Sequence, residues 1–319
     1  MKFTVDPWDP AYGTSVDSDM QQSEVTVVVD VEVAAAAWAP RRPDPATAAP
    51  SSVLFVDGVR RLEARTWIAT GDGDAVPGVF ASFAAGTVRC DGRARLVDAA
   101  VGRGVYSPAP VLDDVDTRHG RFTAHTTRDA TPEAMMYAVH EDMAECEVRI
   151  AERARRDSDE LIVLDGPLRK RGHIGDAVGL IKSHHVRYLP AALDRVVGAL
   201  GSGERTPVFR VDAAPFSRAS WYTRLPGPEG GPWAGIIRCE VSGALATRTL
   251  AALADRVTVA LPPFASEPHK DGRAPQNLYP IAGLERELRR RLGDQRLIYR
   301  ALRSTASLHS PNKGVALPS

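Results

Sequence analysis

An α/β fold built on a mixed β-sheet is predicted by three observations. Two short apolar runs, Val53-Leu-Phe-Val and Leu161-Ile-Val-Leu, end in the same dipeptide, Asp57-Gly58 and Asp165-Gly166. Apolar runs of that length without polar alternation read as strands buried on both faces. A long segment of helical periodicity separates them, and strand-like and helical segments alternate after the second. Each run would then carry a carboxylate to the end of a central strand.

The elements follow in order. Residues 1 to 22 are polar and expected to be loose, while Glu24 to Val33 reads as a strand. Residues 34 to 52, rich in Ala and Pro, have linker composition, so 1–52 is expected to form an N-terminal extension. Strands are predicted over 53–57, 60–69 and 78–90, close enough in sequence for an antiparallel meander. Thr131 reads as the N-cap of a helix with Pro132 in its first turn and Glu133 behind it. Met136, Val139, Met143, Cys146, Ile150 and Ala154 define its apolar stripe. Further strands are expected at 161–165, 177–182, 208–212, 221–225 and 235–241. Helices are expected at 189–200 and 244–257, and a pair at 281–291 and 294–303 breaks at Gly293. The tail, 304–319, is expected to be disordered. The order β-β-β-α-β followed by mixed elements suits an RNase H-like mixed β-sheet flanked by helices, with an additional N-terminal strand and C-terminal helices.

With 40 acidic and 40 basic residues, the chain gives no global pull toward a polyanion, so any nucleic-acid surface must be a local patch. Three well-separated cysteines match no zinc or redox spacing and read as buried thiols. The first residues lack the apolar core of a signal peptide, and no run reaches a membrane-spanning length. A cytoplasmic protein with no membrane association is expected.

Asp-Gly is also a common hairpin turn, and Val59 to Trp67 has the pattern of a return strand, so a turn and a site compete at Asp57. At Asp165, Pro167 and the basic stretch Arg169 to Arg171 follow instead of a second strand. A metal site on two aspartates needs a further oxygen ligand. At about 100° per residue, Glu147 falls at the edge of the apolar stripe, whereas Glu141, Glu145 and Glu152 fall opposite. A competing role for Glu147 is an ion pair with Arg149 or Arg153. Oxygen-only ligation suits Mn²⁺ or Mg²⁺, which would lower the pKa of an attacking water and stabilise a leaving oxygen.

Asp57-Gly58-Val-Arg60-Arg61, the helix bearing Glu147, Leu161 to Leu168, Val178 to Lys182, Arg238 to Val241 and Leu278-Tyr-Pro280 occur in an order that resembles the NurA nuclease family, as a divergent bacterial member. The resemblance spans roughly residues 50 to 303 and makes 53–303 the nuclease domain. It implies a Mn²⁺-dependent DNA nuclease of 5′-3′ exonuclease and endonuclease type. It also implies a homodimer, and DNA end processing together with a hexameric HerA-type translocase. Asp57, Glu147 and Asp165 match the family's catalytic metal carboxylates. A further histidine or acidic ligand is implied near the C-terminus, where His269, Glu285 and Asp255 are the candidates.

For DNA binding, Arg60, Lys182 and the cluster Trp221, Tyr222 and Arg224 are candidates, because aromatic rings stack unpaired bases and neighbouring cations hold phosphates. The rings could equally fill the core. His184-His185 could touch phosphate, and the arginines of the last two helices form a net-positive surface. Two other functions compete. One is a catalytically weak DNA-binding partner of a translocase. The other is a sugar-kinase or actin-like ATPase, whose glycine-rich Ser/Thr hairpins this chain lacks.

Overall fold

The computed structural model describes residues 16–70, 74–156, 159–168, 174, 177–213, 216–228 and 230–309. Its strands are β1 (Val16–Gln22), β2 (Thr26–Val28), β3 (Val53–Ala69), β4 (Ala75–Cys90), β5 (Ala94–Ser107), β6 (Val115–Thr117) and β7 (Gly120–Thr126). After helix α1 (Pro132–Ala154) come β8 (Leu161–Asp165), β9 (Val178–Ile181), β10 (His184–Arg187), α2 (Ala191–Gly198), β11 (Phe209–Ala213), β12 (Phe216–Arg224) and β13 (Ile236–Ser242). Helices α3 (Thr247–Ala260), α4 (Tyr279–Arg291) and α5 (Gln295–His309) complete the described chain. The protein is thus mixed α/β, as its sequence predicts. No helix among the described residues is long and apolar enough to cross a membrane.

Two units divide these elements: Met1–Asp57, Thr87–Asp98 and Ala151–Leu284 make the first, and Gly58–Gly86, Ala99–Ile150 and Glu285–Ser319 the second. In the first, the strand order is β2-β11-β12-β13-β9-β8-β3. β3, β8 and β9 run parallel, and β9, β13, β12, β11 and β2 pair antiparallel in turn. Strand alternation gives this sheet two apolar faces. Phe55, Val163, Leu180, Cys239 and Trp221 pack with Leu250, Ala254 and Val257 of α3. On the opposite face, Phe209, Val211, Tyr222 and Ile236 pack with Val197 of α2 and with Trp38. Each fully buried aliphatic or aromatic side chain contributes about 1.5–3 kcal/mol, which makes these faces the dominant stabilising term.

The N-terminal segment differs from the expectation of a linker. Only Thr26–Val28 forms the expected strand, yet the chain beyond it is anchored. Trp38 is buried and donates its indole N–H to the Val29 carbonyl at 3.1 Å. Glu32 receives two hydrogen bonds from the buried Arg205 guanidinium, both at 2.8 Å, while Arg205 Nε donates to Asp255 Oδ1 at 2.6 Å. Ala and Pro content reports backbone character; one indole and one carboxylate set where the chain binds.

In the second unit the order is β3-β4-β5-β7-β6, with β5 and β7 parallel. Helix α1 starts as predicted, with Thr131 Oγ1 accepting the Ala134 N–H at 3.2 Å. Its buried stripe begins at Met135, Met136 being only half-buried, and continues through Val139, Cys146 and Ile150 against Val79, Ala81, Phe83 and Ala85. Ile298 and Leu302 of α5 pack on Phe122. Gly293, at φ +82°, breaks the α4–α5 pair, and Asp294 Oδ1 then accepts the N–H groups of Arg296 and Leu297 to cap α5.

Several elements depart from expectation. Residues 16–22, expected to be loose, form β1, which pairs in parallel with the unpredicted β10, because a strand partner can order a polar segment; the strands expected at 53–57 and 60–69 are one strand; β5, β6 and β7 are not predicted; and α5 continues through Ser304 to His309. The rest of the expected tail, the first fifteen residues and the basic stretch Arg169 to Arg171 lie outside the described residues. Among the described residues the cysteines form no disulfide; Cys146 and Cys239 are buried and Cys90 is half-buried.

Candidate metal centre

The centre of the first unit's sheet aligns the two aspartates. β3 and β8 are in parallel register through Val53↔Leu161 to Val56↔Leu164, so Asp57 and Asp165 come level one residue later. Val53, Phe55, Leu161 and Val163 face the α3 side, and the two-residue period of a strand carries Asp57 and Asp165 onto that same face. One carboxylate oxygen from each lies within 4.8 Å of the other. Asp57 is buried at 6% exposure.

The two Asp-Gly pairs arise differently. Asp165 ends β8, where Gly166 takes φ +87° and donates its N–H to the Leu180 carbonyl at 2.8 Å. Asp57 sits inside β3, which runs on to Ala69. The expectation of a strand-end Asp57, and the competing hairpin turn, are both corrected: the chain stays extended through Gly58 because every residue from Val53 to Ala69 pairs as strand.

Two carboxylates at this separation repel by about 3 kcal/mol at an effective dielectric of ~20 when both carry charge, so a neighbouring cation stabilises the pair. Lys182 is such a cation. It follows β9 in the phase of Val178 and Leu180, which places it on the face of Asp165. Its Nζ donates to Asp165 Oδ2 at 2.7 Å and to Asn277 Oδ1 at 2.9 Å, and Asn277 Nδ2 donates to Asp271 Oδ2 at 2.8 Å. Asn277 and Asp271 are absent from the sequence-based site. Asn277 is fully buried immediately before Leu278 and α4, next to the equally buried Gln276, and no local pattern in the sequence sets it apart.

In the second unit, Glu147 is buried at 2% exposure, on the inward edge of α1. Its Oε1 lies 2.5 Å from where a β-carbon on Gly58 would stand, so this glycine serves close approach and has no left-handed φ to satisfy. Glu285 is half-buried on α4.

Other candidates are placed elsewhere. His269 lies on an exposed loop with Nε2 3.7 Å from Glu267, and it does not join the aspartates. Asp255 is committed to Arg205. The stacking cluster is corrected by burial: Trp221 has no exposed surface and lies in the α3 core, Tyr222 lies in the opposite core, and neither presents a ring face to a base. Strand alternation sends these neighbours to opposite sides, both covered. Arg224 donates to the carbonyls of Leu200, Gly198, Ala234 and Pro232, which ties down the adjacent loop. His184 is buried with Nε2 donating to the Ile236 carbonyl at 3.1 Å; burial pulls its pKa down to about 4, so it is neutral and structural. Arg60 is exposed on β3.

The donor set at the aspartates is all oxygen and fits a hard divalent cation better than zinc. No protein-family model matches this chain, and no curated protein matches it.

Proposed function

We propose that this chain is a divalent-metal-dependent deoxyribonuclease, a phosphodiester hydrolase of the NurA type, that holds Mn²⁺ or Mg²⁺ on Asp57 and Asp165, with Glu285, a candidate from the sequence resemblance, as a third ligand. Glu147 is the alternative third carboxylate. The observation that carries the reading is the level placement of Asp57 and Asp165 on neighbouring parallel strands, with carboxylate oxygens within 4.8 Å. The chain order β3, β4, β5, β6, β7, α1, β8 has two strands more than the expected β-β-β-α-β, and the parallel pairing of β8 with β3 is the part of it that supports an RNase H-like sheet.

In this reading the bound ion supplies a more acidic water and charge for the leaving oxygen. Asp57 and Asp165 fix its position on a rigid sheet, and Lys182 holds Asp165 in one orientation while offering an ammonium to a phosphate oxygen. Arg60 and the exposed arginines of α4 and α5 contact the DNA backbone. The acting form is a homodimer that resects DNA ends with a HerA-type translocase. The test is degradation of end-labelled DNA with Mn²⁺, Mg²⁺ or chelator, comparing wild type with Asp165→Asn. Metal-dependent activity lost in the variant supports the assignment; equal activity in both overturns it.

One observation favours a second reading, a catalytically weak DNA-binding partner of a translocase: the C-terminal histidine candidate, His269, stands apart on an exposed loop. DNA binding without Mn²⁺ uptake in a calorimetric titration would select it.

A further inference from the structure

Lys182 closes a line of four polar side chains: Asp271 Oδ2 accepts from Asn277, Asn277 Oδ1 accepts from Lys182, and Asp165 Oδ2 accepts from Lys182. Chemistry fixes the direction of this line. A carboxylate only accepts, so Asn277 turns its amide nitrogen to Asp271 and has only its oxygen left for the ammonium. Asp271 is itself held, its Oδ1 accepting the Arg273 N–H at 2.8 Å, and Asn277 has no exposed surface. The Lys182 side chain is 10% exposed and its partner Asp165 15%. This ammonium is therefore built into place, unlike a surface cation that finds a partner by chance.

A carboxylate can be shared between two cations, and the positive charge of one weakens its pull on the next. Asp165 already shares Oδ2 with Lys182 at 2.7 Å, so a metal ion on the same carboxylate would stand beside one cation in place. We infer that the centre takes a single divalent cation per chain, with Lys182 standing in for the second and giving a remaining N–H to a non-bridging phosphate oxygen of the substrate. This rests on the metal-dependent reading proposed above.

The test is titration of the full-length chain with Mn²⁺, free ion being followed by its electron paramagnetic resonance signal. Wild type is expected to take up one equivalent. Lys182→Met, which releases Asp165 Oδ2 from the ammonium and removes a positive charge, is expected to take up two, and Lys182→Arg, which keeps the charge, to remain at one. Two equivalents in wild type, or one in Lys182→Met with unchanged affinity, overturns the inference and leaves the nuclease reading standing. No uptake in wild type removes both. If Lys182→Met fails to fold by circular dichroism, Asn277→Ala, which releases the ammonium without deleting it, is expected to give uptake above one equivalent; uptake held at one overturns the inference.

Discussion

Glu147 Oε1 occupies space 2.5 Å from the missing β-carbon of Gly58, and the Met143 Cγ and Sδ atoms lie 2.9 Å from the same point. Any side chain at position 58 must push the buried Glu147 and Met143 aside together. Gly58→Ala is expected to destabilise the protein by about 1–3 kcal/mol, the usual cost of overpacking. The check is the urea midpoint at constant slope. Wild-type stability in Gly58→Ala would show that α1 yields easily here.

If the proposed metal-dependent reading holds, comparing Glu285→Gln with Glu147→Gln decides which of these two sequence candidates is the third carboxylate. If Glu285 is the ligand, its amide loses more than about 100-fold in Mn²⁺-dependent DNA cleavage, beyond the usual effect of outer-shell changes, while Glu147→Gln loses about 10-fold or less. The reverse ranking moves the ligand to α1. Both substitutions keep side-chain volume, and matching thermal melts are the control.

The sheet centre is legible in the sequence because the physics there is local. Leu161 to Asp165 is an apolar run ended by a glycine that takes φ +87°, and the run alone predicts both the strand and the placement of its aspartate. Gly58 carries the same dipeptide signal for another reason, room for Glu147, so spacing does not tell a turn from a strand there. Trp221 and Tyr222 look like a stacking pair in sequence because composition does not report that a strand is covered on both sides. Asn277 and Asp271 leave no such trace: their roles depend on Lys182, ninety-five residues from Asn277, which no local pattern connects.

Trp221 separates core from interface directly. Since its ring is fully buried among Leu180, Cys239 and α3, Trp221→Ala is expected to cost about 3–5 kcal/mol. A folded, undestabilised Trp221→Ala protein that had lost only DNA affinity would contradict the burial. Chemical denaturation and DNA titration on the same preparation give both numbers.

His184 makes stability pH-dependent. Its folded pKa is about 4 against an ordinary 6.5, because burial disfavours the imidazolium. The unfolded chain therefore binds the proton first, so the contribution is complete above pH 6.5 and is lost as pH falls toward 4, by about 3 kcal/mol if His184 acts alone. Glu32 acts at lower pH. Burial opposes its ionisation, but the Arg205 guanidinium and the Val208 N–H outweigh that and hold its pKa below 4.5, so its stabilisation is lost as pH falls through that lowered value. A stability curve for wild type and His184→Gln should differ in slope between pH 6.5 and 4; parallel curves would remove His184 from the account.

Helix α5 offers the clearest polyanion surface of the second unit. Its sequence, Gln295 to His309, has Arg296, Arg300 and Arg303 and no acidic residue, and all three arginines are exposed. Spacings of four and three put them on one helical face, whereas Arg290 and Arg291 of α4 are bonded to Glu287. If this face tracks the DNA backbone, replacing the three by alanine weakens binding without sequence preference. It also lowers the slope of log affinity against log salt by about one for each phosphate that is no longer neutralised. Exposed substitutions of this kind leave stability within about 0.5 kcal/mol. An unchanged salt slope, measured by fluorescence anisotropy from low to high salt, would place the DNA elsewhere and return these arginines to the role of a solvated helix face.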